Sequence, residues 1–502
     1  PCDGQEAMVA SEKAKFLFVR RVSQEIVDFG QLEMDAVNWK CLSDTIVEEN
    51  GWYILEYHVR EAGDILAFFV SPQGKLISYK NFDPRVTSEV AILQAQFRSI
   101  IGGGNSSDAR YEGTEDENVH LWLQKIALAE KSKHSSLRDA VAKVLELTNT
   151  PKSWRDLKLL SRQFLLDHCA WVSRGSDVLI NRIQDLLNPN RILRELYIHL
   201  IDPLNAELPA FNSNLIIIPD PKLYDVPWPA LMSENGQPLI ASFSMRVELA
   251  LIGNRRVTAA QNTKVMNRSR RFLVVGNSGR SGDRGFQLLS CAKEEAMQVA
   301  NDLSPLKEMG NVLSEPLIGP QATKSQVLKN MNGASFVHLA CPCSIQQSAL
   351  VCHGTPSTLQ PGESTDDAES RLLSAVEVGR DLRLAEQSTV ILSSCGSARD
   401  AVDAEEIMKI PIAFLAAGAS TVVSTLWCPS DESVRLLMVP FYSALLQGYH
   451  VAQAMRFAML MMRSKGCDVI SWGGYYVLGS STAISPNVEQ WQPELNEDSS
   501  VV

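Results

Sequence analysis

Residues 335–347 read SFVHLACPCSIQQ: a mostly apolar run with one histidine, then Cys-Pro-Cys where a strand would give way to a loop. A short, continuous apolar run bounded by polar residues is the pattern of a strand buried on both faces. The pattern recurs on either side of it. Leu215-Ile-Ile-Ile218 ends in Pro219-Asp220, and residues 272–275, 389–394, 421–426 and 475–478 are similar runs. Helical periodicity lies near 292–303, 405–417, 431–447 and 452–462, so strands and helices alternate. Alternation of that kind predicts crossover units: an α/β fold, with a mostly parallel sheet flanked by helices.

Working outward, residues 52–59 and 65–70 look like strands. Ser71-Pro-Gln-Gly74 supplies turn chemistry before 75–79 resumes the strand pattern, which predicts a meander with a hairpin. A helix is expected near 11–29. Residues 101–118, IGGGNSSDARYEGTEDEN, read as a mobile loop, and helical periodicity then dominates 120–201. The acidic, aliphatic-poor end, 483–502, reads as a disordered tail. A chain of 502 residues exceeds one typical core. A start at Pro1 instead of Met leads us to expect a piece of a longer protein.

The net charge of -11, from 47 basic and 58 acidic residues, argues against a nucleic-acid partner, because phosphate contacts need clustered Lys and Arg. The densest basic run, Asn267-Arg-Ser-Arg-Arg271, reads as a solvated linker ahead of a strand. Nothing reaches the ~18 apolar residues of a membrane span, and no membrane role is expected. Ten cysteines without a CxxC pair read as mostly buried, reduced thiols, and we expect a cytoplasmic or nuclear location. No cofactor or metal is expected: the His and Cys residues lack paired ligand spacing, and Cys341-Pro-Cys343 alone is a weak signal. Gly276-Asn-Ser-Gly279-Arg-Ser-Gly282 follows a strand but fits neither GxGxxG nor GxxxxGK[ST], so a flexible turn explains it.

The stronger chemical candidate is Ile391-Leu-Ser-Ser-Cys395-Gly-Ser-Ala-Arg-Asp400. Ligands and nucleophiles sit at the carboxyl ends of parallel strands, and Cys395 ends one, with Gly396 behind it. Taken alone, Cys395 also reads as a small core residue, although Ser393 and Ser394 make a polar end for a core strand.

Several stretches then stand in a telling order: LIIIPDPKLYDVPWPAL, LIGPQATKSQVLKNMNGASFVHLAC, LSSCGSARD, AFLAAGASTVVSTLW, PFYSALLQG and WGGYYVLG. Over about 35–479 the chain resembles CHAT domains, caspase- and separase-like modules usually found behind tetratricopeptide repeats. The resemblance implies a helical or linker segment at 1–34, a pseudo-caspase α/β half at 35–260 and a caspase-like half at 265–482. It also implies protein or peptide partners, with repeats upstream. In active members a strand reading H-x-A-T-H-G supplies the base as its second His, with an oxyanion-hole amide near the following Gly. A later strand ending S-x-C supplies the nucleophile.

By that resemblance Cys395 takes the nucleophile position, Gly396 its turn, His338 the in-strand His, Pro342 the base and Cys343 the oxyanion glycine. Proline neither accepts a proton nor donates a backbone hydrogen bond. His338 shares strand parity with 342, but four residues of strand put it about 13 Å away, whereas base contact needs about 2.6 to 3.2 Å. His353, the start of an HG dipeptide, is a second candidate base or a solvated loop histidine. Asp400, Asp403, Glu405 and Glu406 follow the nucleophile strand. They could line a pocket for a basic side chain, as related proteases often favour Arg, or simply complement a helix dipole.

Magnitudes separate the readings. A thiol of pKa near 8.5 is only a few per cent thiolate at neutral pH, and a positioned base is worth about 10² to 10⁴ in rate, roughly 3 to 5 kcal/mol. The sequence therefore points first to a pseudoprotease that binds without cutting. An active cysteine endopeptidase using His338 or His353, and a purely structural assembly module, are the alternatives.

Overall fold

The computed structural model describes residues 51–60, 62–72, 76–102, 188–248, 270–277, 289, 291–344, 348–353, 371–393, 404–427 and 429–480. The expectations for 1–34, for most of 101–187 and for the tail lie outside them.

The meander comes first along the chain. Strands β1 (Trp52–Val59), β2 (Ile65–Val70) and β3 (Leu76–Phe82) pair antiparallel in sequence order. β3 is outermost, and its burial alternates along the strand as an edge strand's should. β4 (Ser213–Ile218), β5 (Phe243–Val247), β6 (Arg271–Gly276), the short β7 (Val312–Leu313) and β8 (Leu317–Ile318), β9 (Phe336–Ala340), β13 (Ser388–Leu392) and β14 (Ala419–Thr425) supply the parallel part. β15 (Tyr475–Gly479) runs antiparallel to β14 and parallel to β5, so both halves of the chain share one sheet of 12 strands. Its order is β3-β2-β1-β4-β5-β15-β14-β13-β9-β6-β7, with β8 beside β6. β5, β9, β13 and β15 are buried along their whole length, which is why they read as unbroken apolar runs. A second sheet of three short antiparallel strands, β10 (Cys343–Ser344), β11 (Ala349–Val351) and β12 (Leu372–Ser374), follows β9.

The helices are α1 (Pro84–Gly102), α2 (Pro189–Leu200), α3 (Leu239–Ser242), α4 (Ala292–Asp302), α5 (Lys324–Met331), α6 (Ala375–Asp381), α7 (Ala404–Ala417), α8 (Asp431–Leu446), α9 (Val451–Ser464) and α10 (Val469–Trp472). Caps fix their starts. Asn188, Thr323, Ser374 and Ser430 each accept a backbone N–H of the first turn, and Ser374 with Glu377 completes a capping box. α4 packs on β6 and β9, and α8 packs on α4.

Two features tie the halves together. Arg456 of α9 donates to the carbonyls of Ile240 and Ala241 and to Asn212 Oδ1; burial lowers its pKa to about 10, which leaves it charged at neutral pH. The glycines of WGGYYVLG admit close neighbours: a Cβ on Gly473 would stand 2.8 Å from the Ala230 Cβ, and one on Gly474 2.7 Å from the Trp427 indole. Ala230 belongs to LYDVPWPAL and Trp427 to the STLW stretch, so the two adjacent glycines bring three of the quoted stretches together. In the first of these, Asp225 is buried against Gln94 and 3.2 Å from the Arg98 guanidinium; burial pushes its carboxyl up, and Arg98 opposes that.

The basic run before β6 is not a solvated linker at its end. Burial lowers the pKa of Arg270, and Arg271 opens β6 with its guanidinium on the carbonyls of Asn330 and Asn332. The Arg271 side chain is thus engaged by the fold.

Candidate catalytic strand ends

The carboxyl ends of β6, β9 and β13 lie side by side, with Leu392 the register partner of Leu339, and Gly276 that of Ala340. β13 ends firmly. Ser393 is fully buried, its N–H reaches the Leu339 carbonyl at 3.3 Å, and its own carbonyl accepts from Tyr475 Oη at 3.2 Å. Cys395, Gly396, Asp400 and Asp403 lie beyond this point, outside the described residues. Glu405 and Glu406 fall in the first turn of α7, but their side chains also lie outside what is described.

Pro342 is buried at the end of β9. Its carbonyl accepts the Val351 N–H at 2.8 Å, and in an antiparallel pair the Val351 carbonyl would accept the N–H of residue 342 in return. Proline has none. The missing donor is supplied by Asn277, the residue after β6, whose side-chain Nδ2 reaches the Val351 carbonyl at 2.8 Å. Asn277 is itself 1% exposed, and its backbone N–H donates to the Ala340 carbonyl at 2.9 Å. The turn is thus built around a proline, with each of these main-chain groups satisfied. Cys343, where the resemblance implies the oxyanion glycine, starts β10 and pairs with Leu350.

His338 points into the layer of α4 and α8 and has no solvent exposure. Its Nδ1 lies 2.8 Å from Tyr442 Oη, and its Nε2 lies 3.0 Å from Glu295 Oε1, a contact not aligned as a hydrogen bond. The arrangement suits a ring whose Nδ1 accepts from the tyrosine while Nε2 faces the carboxylate. Burial, with Glu295 adding to it, pushes the Tyr442 phenol well above its usual pKa, so the hydroxyl keeps its proton.

His353 follows β11. It is half-buried, its N–H donates to the Ala322 carbonyl at 2.8 Å, and it bridges to Thr323, the cap of α5. Of the described candidates, Pro342 and Cys343 therefore share one turn, His338 lies under it in the sheet, and His353 follows the strand that pairs with it.

Sequence reasoning missed Asn277, Glu295 and Tyr442. The first could have been found by asking what satisfies the carbonyl opposite a proline inside a ladder. Glu295 and Tyr442 carried no local signal. Among the described residues no cluster of three or more His, Cys, Asp or Glu could hold a metal ion, and no helix is long and apolar enough to cross a membrane.

A family model described as the CHAT domain matches residues 190–480. Mouse (Mus musculus) tetratricopeptide repeat protein 28 is 27% identical over 355 residues, which is 62% of this chain and 14% of that protein. The human (Homo sapiens) protein of the same description is 28% identical over 223 residues, 39% of this chain and 8% of that protein. The chain thus spans a small part of the curated relatives it matches. Among solved structures, the Saccharomyces cerevisiae separase–securin complex overlaps 87% of this chain and 30% of that one at 13% identity, with a TM-score of 0.43. The Arg-specific cysteine proteinase gingipain R overlaps 59% of this chain and 67% of that one at 11% identity, with a TM-score of 0.34.

Proposed function

The chain belongs to the CHAT domain family, and on that premise we propose that it is a protein-binding module in which a cysteine-peptidase layout has lost its base. The observation that carries this reading is Pro342. Position 342 lies three residues past Leu339, as position 395 lies three past its register partner Leu392. Where the family's pattern places an imidazole facing the nucleophile strand, this chain has a buried ring with no titratable group and no N–H to offer.

The rest of the turn supports the same conclusion. Asn277 compensates a proline, not a histidine, at 342. His338, the in-strand alternative, has Tyr442 at one ring nitrogen and Glu295 at the other, both buried. To act as a base it would have to leave both partners and cross about four residues of strand, roughly 13 Å. With no positioned base, turnover by Cys395 falls short by about 10² to 10⁴.

On this reading the module holds protein or peptide segments without cutting them, behind tetratricopeptide repeats like those named in its relatives, in the cytoplasm or nucleus. The test is peptide-level mapping of a protein mixture incubated with the chain and with its Cys395→Ala variant. No cleavage that depends on Cys395 is expected. Site-specific cuts that vanish in Cys395→Ala would overturn the reading.

A further inference from the structure

Cys341 and Cys352 are placed across from each other by the ladder that accommodates Pro342. Cys343 pairs with Leu350 and Ser344 with Ala349 in β10 and β11, and the same register counted back sets 342 against 351 and 341 against 352. The hydrogen bond from the Val351 N–H to the Pro342 carbonyl, 2.8 Å, fits that count. Antiparallel pairs alternate between hydrogen-bonded and non-hydrogen-bonded, and 342–351 is of the first kind, so 341–352 is of the second. In such pairs the Cα atoms stand about 4.5 Å apart with the side chains close, inside the roughly 4.4–6.8 Å span of disulfides.

Neither residue is in a disulfide, and each is 3% exposed. Each thiol also bears the mark of this setting: burial and then the neighbouring Cys352 push Cys341 up, and burial holds Cys352 at about 12. Neither is a ready nucleophile at neutral pH. Formation of a bond between them is therefore slow at neutral pH and quickens as the thiolate fraction rises.

We propose that Cys341 and Cys352 form a reversible cross-strand disulfide, a redox modification site whose oxidant is a small-molecule disulfide such as glutathione disulfide. One protein thiolate attacks glutathione disulfide, giving a protein–glutathione mixed disulfide and releasing one glutathione. The second protein thiolate attacks the protein sulfur of that mixed disulfide and releases the second glutathione. Two protein thiols are oxidised, one glutathione disulfide is reduced to two thiols, and the two protein protons end on them. The new bond braces the turn that carries Pro342 from both strands, and the proposal stands whether or not Cys395 has any activity.

The test equilibrates the full chain in buffers of rising glutathione disulfide to glutathione ratio, then quenches with acid, alkylates, digests and reads peptides by mass spectrometry. A peptide pair joined through Cys341 and Cys352, lighter by two hydrogens, is expected to appear as the ratio rises and to disappear with dithiothreitol. Its formation should be about tenfold faster for each pH unit between 7 and 9, following the thiolate fraction. Cys343→Ser should retain the link, and Cys341→Ser and Cys352→Ser, each checked for retained secondary structure, should abolish it. Cys341 and Cys352 alkylated in full at every ratio, or a link that runs through Cys343, would overturn the proposal.

Discussion

Replacing Asn277 tests how the proline is carried. Its Nδ2 is the donor at 2.8 Å to a Val351 carbonyl that the proline cannot serve, and both residues are buried. Asn277→Ala leaves that carbonyl unsatisfied, a loss of about 1–3 kcal/mol in unfolding free energy. Asn277→Asp keeps the shape but exchanges the donor for an acceptor facing a carbonyl, and should cost at least as much. The discriminating arm is Pro342→Ala, which restores a main-chain N–H at 342, opposite Val351. If that N–H takes over the bond, the double variant Asn277→Ala/Pro342→Ala loses less than the sum of the singles, with a coupling of about 0.5–3 kcal/mol. Urea denaturation of the four chains, read by fluorescence and far-UV dichroism, closes the cycle. Additivity within about 0.5 kcal/mol, or an Asn277→Ala variant as stable as the parent, would refute the reasoning.

The glycine contacts give a paired expectation. Gly474→Ala sets a methyl 2.7 Å from the Trp427 ring and should destabilise by about 1–3 kcal/mol, whereas Gly379→Ala, in a helix with its nearest neighbour at 4.0 Å, should stabilise by up to about 1 kcal/mol; urea midpoints decide. Alkaline pH should weaken the fold through the buried thiols. Cys352 is raised from 9.0 to about 12, so the unfolded chain releases its proton first and stability falls as pH rises from about 9 towards 12. The loss from this one group is up to about 1.4 kcal/mol per pH unit, and Cys352→Ser should flatten that part of the stability curve; an unchanged slope would count against the burial argument.

The parallel strands were legible because burial on both faces leaves unbroken apolar runs: FVHLA, STVIL and RFLVVG became β9, β13 and β6. The meander was legible for the opposite reason, a clear turn between strand-like runs. The three-stranded antiparallel sheet was not, since β10 has two residues, β11 and β12 three each, and Cys-Pro-Cys looks like the start of a loop. α5 escaped notice because it buries only Val327 and Met331. At the site, the family resemblance assigned Pro342 to the base position, but nothing in the sequence told what surrounds His338. Tyr442 is 104 positions from it. Such a pairing is a product of helix packing over the sheet, not of any local pattern. The basic run was misread in part because a short sequence window cannot reveal the carbonyls at the end of α5 that Arg271 reaches.

The most direct test of the missing base is the pH dependence of Cys395 alkylation by a small thiol reagent. It is read by mass spectrometry on the full chain and on its His338→Ala and His353→Ala variants. With no imidazole beside the sulfur, the midpoint should lie at or above about 8.5 and stay there in both variants. A midpoint well below about 8 that rises when either histidine is removed would show a working Cys–His pair and contradict the account.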